Sequence, residues 1–218
     1  MDLFGNVSSN DTPDKDEGKP LADRIRPTSL EEVVGQEHLL GKGKILRVLL
    51  DTMDVPSMIF WGPSGVGKTT LGWLIGKYMK LPYVSLSAVS IGIKEVKEII
   101  QKARSRRIIL FIDEFHRFNK LQQDTFLPHV ESGTIVLIGA TTENPSFEII
   151  SPLLSRMKVL TLKALEKEDL VKIVKRAVNE DKELRGALLK ISDDTIDELA
   201  LLAGGDARKA LNLLEVCY

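Results

Sequence analysis

The sequence predicts an α/β domain, a parallel sheet wound on both faces by helices, followed by a smaller all-helical region. Three observations predict it. Short apolar runs alternate with helical stripes from residue 57 to 161, the pattern of a doubly wound sheet. One of those runs, Ile108 to Ile112, is five apolar residues long, as suits a strand buried on both faces. After residue 162 the strand-like runs stop and only helical stripes remain.

The elements follow in order. Met58-Ile59-Phe60-Trp61 is the first strand and runs into a glycine-rich loop. Leu71, Leu74, Ile75 and Tyr78 recur at i, i+3, i+4 and i+7, one stripe of a helix. Tyr83 to Leu86 is the second strand, residues 94–104 a helix, Ile108 to Ile112 the third strand, Thr134 to Ala140 the fourth and Val159 to Leu162 the fifth. Leu170, Ile173, Val174, Ala177 and Val178 form the first stripe of the helical region. Ser192 caps a second helix that stops at Gly204-Gly205, and Asp206 caps a third with Ala207, Ala210, Leu211 and Leu214 on one face. That last pattern is still running at Tyr218, which suggests a fragment of a longer protein.

Composition excludes several classes. The 218 residues are 43% hydrophobic and 28% charged, enough apolar material for a sizeable core. Thirty basic residues against 31 acidic ones do not make a basic nucleic-acid wrapper. A lone cysteine, Cys217, builds neither an intrachain disulfide framework nor a cysteine zinc site and fits a reducing cytosol. No stretch approaches 18 apolar residues, so no membrane partner is expected. Residues 1–20 carry five acids against two lysines and read as a disordered acidic tail. His38, His116 and His129 have no metal-ligand spacing.

The chemistry concentrates at the ends of the strands. Gly62-Pro63-Ser64-Gly65-Val66-Gly67-Lys68-Thr69 is a G-x-x-x-x-G-K-[ST] loop between a buried strand and an amphipathic helix. Its glycines let N–H groups wrap phosphate oxygens at a helix N-terminus. Lys68 is placed for the β- and γ-phosphates, and Thr69, followed by Thr70, for Mg²⁺. The third strand ends in Asp113 and Glu114. A parallel sheet gathers its C-terminal strand ends on one edge, so Asp113 is a candidate for the metal and Glu114 for orienting the attacking water. Thr141-Thr142-Glu143-Asn144 ends the fourth strand on the same edge, and Arg156 precedes the fifth. Arg208 lies in the first turn of a helix, where a cation opposes the macrodipole. The basic run Lys94, Lys97, Lys102, Arg104, Arg106 and Arg107, offset only by Glu95 and Glu98, reads as a solvated face, with a nucleic-acid patch as the alternative. ATP or GTP binding with Mg²⁺ follows from these residues.

These residues resemble AAA+ ATPases. Val34-Gly35-Gln36-Glu37-His38-Leu39, preceded by Arg26-Pro27, is similar to the segment that clamp loaders and the RuvB helicase fold over adenine. The stretch from Asp113 to Phe147 and the run Gly205-Asp206-Ala207-Arg208-Lys209-Ala210-Leu211-Asn212 resemble the RarA/MgsA family, related to the Werner-helicase-interacting ATPase. The resemblance covers residues 20–218. It implies an AAA+ core over 21–162 with a five-stranded parallel sheet, and a helical lid over 163–218. It makes Lys68 and Thr69 the Walker A pair and Asp113 and Glu114 Walker B. It puts Thr142 at sensor 1 with Asn144 as a rival, Arg156 at the arginine finger, Arg208 at sensor 2 and Ser87 at a polar switch position facing Glu114. Arg26, Pro27 and Val34 join the loop residues in holding ATP. Ser64 stands where a second proline is common, a change expected to be harmless.

The resemblance further implies a cytoplasmic, nucleoid-associated ATPase acting on forked, gapped or single-stranded DNA. In the family a further helical domain builds a tetramer. Leu3-Phe4 near the N-terminus resembles a sliding-clamp peptide, although a stray apolar pair in a tail is the commoner explanation. An ATP-gated adaptor for the sliding clamp or single-strand-binding protein, or a clamp-loader or RuvB-like motor, are the other functions compatible with the same core.

Overall fold

The computed structural model describes residues 18–102, 106–186 and 191–217; residues 1–17 of the acidic tail, with Leu3-Phe4, lie outside them, as does Arg104. Along the chain come α1 (Leu21–Arg24), a 3₁₀ turn (Leu30–Glu32), α2 (Glu37–Leu40), α3 (Ile45–Asp51), β1 (Met58–Trp61) and α4 (Lys68–Met79). There follow β2 (Tyr83–Ser87), α5 (Ile93–Lys102), β3 (Ile108–Asp113), a second 3₁₀ turn (Phe115–Arg117), α6 (Lys120–Asp124) and α7 (Leu127–Glu131). β4 (Ile135–Thr141), α8 (Pro145–Glu148), α9 (Ser151–Leu154) and β5 (Lys158–Thr161) complete the α/β part. The helices α10 (Lys167–Glu180), α11 (Lys182–Gly186), α12 (Asp193–Ala203) and α13 (Ala207–Val216) close the chain.

By its contacts the chain forms two units. One comprises His38–Gly62 and Lys68–Leu162; the other takes residues 18–37, Pro63–Gly67 and 163–217.

The first unit is built on a five-stranded sheet in the order β2-β3-β4-β1-β5, every pair parallel. Burial follows that order. All seven residues of β4 are buried, whereas β5 at the edge buries only Leu160. Long apolar runs thus take the centre, where both faces are covered. One face packs Val96, Ile99 and Ile100 of α5 together with Phe115, Phe118 and Phe126. On the other, α4 comes so close that a Cβ at Gly72 would lie 2.4 Å from the Phe111 ring, and one at Gly76 2.9 Å from Tyr83. Glycine is required there by close approach. This corrects the expected stripe: Tyr78 is 39% exposed while Met79 is buried. The two glycines turn the contact face by one position.

In the second unit, α10, α12 and α13 share a core of Leu170, Val174, Ala177, Ile196, Leu199, Ala200, Ala210, Leu211 and Leu214 with Leu21 of α1. Its caps are those expected from sequence. Ser192 Oγ accepts the Thr195 N–H, Gly204 ends α12 at φ 60°, and Asp206 accepts the Lys209 N–H. An ion cluster fastens the N-terminal segment here. Arg24, 7% exposed, donates to Asp181 at 2.8 Å and approaches Glu183 at 3.1 Å and Glu215 at 3.3 Å. Burial alone would raise the Asp181 carboxyl. The Arg24 guanidinium and the N–H groups of Leu184 and Glu183 outweigh burial and hold it below the usual carboxylate range.

Two outcomes follow. Arg24→Met strands a buried carboxylate and should cost roughly 3–5 kcal/mol in chemical denaturation. Because the folded Asp181 pKa is depressed, its contribution is complete above the unfolded value of 3.8 and is lost as pH falls through and below it. Asp181→Asn should flatten the acid limb of the stability curve.

Candidate nucleotide site

Parallel pairing brings the candidate chemistry to one edge of the first unit. Trp61, the residue before the loop, is in register with Thr141 at the end of β4, and Asp113 with Ser87 at the end of β2. β4 separates β1 from β3, so Asp113 stands one strand removed from the loop-bearing strand.

The loop has the backbone its glycines predict. Gly65 and Gly67 adopt φ of 66° and 96°, turning successive N–H groups towards one side. Lys68 begins α4, is only 8% exposed, and donates from Nζ to the Gly62 carbonyl at 2.8 Å. A Cβ at Gly67 would meet nothing within 4 Å, so space lies open beside that residue. Left-handed glycines, a buried lysine and the start of a twelve-residue helix suit polyphosphate. Thr69 and Thr70 lie half-buried in the first turn of α4.

Within the second unit the loop residues Pro63–Gly67 are held tightly. Ser64 Oγ donates to Asp206 Oδ2 at 2.8 Å, and the Ala207 N–H donates to the Gly65 carbonyl at 3.1 Å. A Cβ on Gly65 would fall 1.8 Å from Asp206 Oδ1. Ser64 therefore has a partner that its sequence position does not announce. Gln36, 1% exposed, donates to the Lys163 carbonyl at 2.9 Å, accepts the Lys163 N–H at 3.2 Å, and donates to Val66 O at 3.5 Å. Arg26 pairs with Asp23; Pro27 and Val34 are half-buried. Arg208 is exposed in the first turn of α13.

At the end of β3, Asp113 Oδ1 accepts the Glu114 N–H at 3.0 Å. Glu114 itself is left-handed at φ 53° and ψ 42°, a conformation that costs a non-glycine residue about 1–2 kcal/mol and gathers at functional sites. Its carboxylate lies 3.3 Å from His116 Nε2. Ser87 Oγ accepts the Val89 N–H at 3.4 Å. Thr142 is exposed, and Asn144 spends its side-chain oxygen on the Ser146 N–H as a cap of α8. Arg156 pairs with Glu131 at 2.7 Å and donates to Pro152 O at 2.8 Å. Lys94, Lys97, Arg106 and Arg107 are exposed. Among the described residues no cluster of His, Cys, Asp and Glu could hold a metal by itself, and no helix is long and apolar enough to cross a membrane.

Nothing in the sequence gives His116 or Asp206 a site role of its own, and Gln36 stands out only as part of the Val34–Leu39 segment. The legible signal for His116 was its place two residues after Glu114, between Phe115 and Phe118. Asp206 was legible only as a helix cap.

A loop test follows. Gly65→Ala should destabilise the chain by roughly 1–2 kcal/mol from backbone conformation alone, with a further loss from the collision with Asp206. Adding Asp206→Gly should recover the collision part. A thermal-denaturation double-mutant cycle with no coupling would contradict the contact.

Residues 58–165 match the model of the ATPase family associated with various cellular activities (AAA). The chain is 50% identical over 205 residues to replication-associated recombination protein A of Escherichia coli K12, covering 91% of this chain and 46% of that protein. It is 46% identical to ATPase WRNIP1 of Dictyostelium discoideum, covering 90% and 23% respectively. The chain thus spans under half the length of these relatives. Among solved structures it is similar to the Thermotoga maritima RuvB Holliday junction branch migration motor, with a TM-score of 0.72 and 29% identity over 88% of this chain and 64% of that one.

Proposed function

Since residues 58–165 belong to the AAA family of ATPases, we propose that this chain is the ATP-hydrolysing part of a DNA-remodelling protein of replication-associated recombination. The observation that carries the reading is the shared strand edge, where β1 ends just before the loop Gly62–Thr69 and β3 ends in the Asp113–Glu114 pair. The similarity to replication-associated recombination protein A and to a Holliday junction motor supports DNA, forked, gapped or single-stranded, as the substrate. On this reading residues 21–162 are the core and 163–218 a lid, and the protein is cytoplasmic and nucleoid-associated.

The residues take these roles. Lys68 and the loop N–H groups hold the phosphates, with Arg26, Pro27 and Val34 contributing from the N-terminal segment. Thr69 and Asp113 hold Mg²⁺, which when bound neutralises developing charge on the phosphates. Glu114 orients the attacking water, Thr142 senses the γ-phosphate, and Arg208 contacts it from the lid. Arg156 serves a neighbouring subunit's site as an arginine finger in a homo-oligomer, tetrameric when the further family domain is present. Its link to Glu131 is an exposed pair, 42% and 49% accessible, worth at most about 1 kcal/mol, so the finger can leave it.

ATP hydrolysis per molecule, measured against protein concentration with and without forked DNA, tests the reading. The specific rate should rise with concentration and with DNA. Arg156→Ala should lower turnover by about 10³-fold or more with ATP affinity kept, whereas Lys68→Ala should lose binding itself. Wild-type turnover in assembled Arg156→Ala would refute the finger.

A further inference from the structure

His116 has no part in the phosphate chemistry above, yet its side chain is only 10% exposed. It sits in the 3₁₀ turn Phe115–Arg117, where side chains three apart share a face. Phe115 and Phe118 point into the core at 0% and 2% exposure. Their rings lie 5.9 Å apart edge to face, each 5.8 Å from Phe126. A Cβ at Gly139 would come within 3.1 Å of the Phe115 ring. The turn is therefore pinned to β4, and the intervening His116 is delivered to the strand ends.

There it bridges two strands. Nε2 is 3.3 Å from Glu114 Oε2 at the end of β3. Nδ1 is 3.0 Å from Thr141 Oγ1 at the end of β4. The Thr141 oxygen accepts the Glu143 N–H at 3.0 Å, and its own proton has two acceptors within reach, Nδ1 at 3.0 Å and the Glu143 carbonyl at 3.4 Å. With Nδ1 accepting, the ring proton resides on Nε2. That nitrogen faces a carboxylate, which can only accept. With Thr141 donating to Nδ1, each donor and acceptor from Glu143 to Glu114 has a consistent role in the neutral ring.

We propose that His116 is a positioning residue for Glu114, its Nε2–H holding the carboxylate while Thr141 fixes the tautomer from the neighbouring strand. The proposal rests on the reading of Glu114 as the group that orients water for ATP hydrolysis. Glutamate has three side-chain torsions, and its left-handed backbone restricts χ1 but leaves χ2 and χ3 without constraint. A donor pinned by core aromatics supplies that constraint, and misplacing a catalytic group by about 1 Å costs on the order of 100-fold in rate.

Two measurements test it. In the nucleotide-free chain, ¹⁵N spectra of the His116 ring above pH 8 should show the Nε2–H tautomer. Glu114→Gln should move the Nε2 resonance and Thr141→Val the Nδ1 resonance. If neither substitution moves its nitrogen, the bridge does not exist. In the assembled ATPase, His116→Phe should lower kcat about 10- to 100-fold with the KM for ATP and Tm little changed, and His116→Gln, which keeps a donor, should recover part of the loss. Unchanged or raised kcat, or equal losses in kcat, KM and Tm, would overturn the positioning role. If the wild-type assembly binds ATP without turnover, the reading of Glu114 fails instead, and the ring spectra still decide the bridge.

Discussion

Burial of β3 and β4 on both faces is the constraint from which the rest follows. Five of the six residues of β3 and all seven of β4 are buried, so an ionised side chain within either strand would carry a large desolvation cost. Polar chemistry can emerge only where these strands end. Asp113 and Thr141 stand at those ends, and parallel pairing gives both ends the same edge. β1 ends at that edge too, because it pairs with β4 in register from Met58 to Trp61. The close approach of α4 through Gly72 and Gly76 then aims the start of that helix at the same edge.

The turn after β3 converts this packing into orientation. Asp113 captures the Glu114 N–H, Glu114 goes left-handed, and the next residues become a 3₁₀ turn with aromatic anchors. The backbone strain at Glu114 is offset by the burial of Phe115, Phe118 and Phe126 beside it. Asn119 and Gln122 close the exit with a reciprocal capping box. Between Asp113 and Gln122 the aromatic, capping and His116 contacts fix a carboxylate and its neighbours, while Arg117, Lys120 and Leu121 stay exposed.

The helical unit depends on polar fastenings. Arg24 ties the N-terminal segment to Asp181 and Glu215, far along the chain, and Gln36 ties the same segment to Lys163. These contacts explain why residues 18–37 group with the C-terminal helices. The loop residues Ser64 and Gly65 join the same unit through Asp206 and Ala207.

By itself the sequence determined the five strands to within a residue or two, the loop, the caps at Ser192 and Asp206 and the glycine stop at Gly204, because each is written in neighbouring residues through side-chain period, local hydrogen bonds or a required positive φ. It also named the loop and the acid pair, whose spacing is local. Tertiary structure decided what distant residues do to one another. Tyr78 lost its expected burial because Gly72 and Gly76 face Phe111 and Tyr83. Ser64 gained a carboxylate 142 positions away. His116, with no metal spacing to mark it, gained a role only when β4 brought Thr141 alongside. No local pattern encodes such pairs, since each depends on which strand lies next to which, and strand order is fixed by burial summed over the whole sheet.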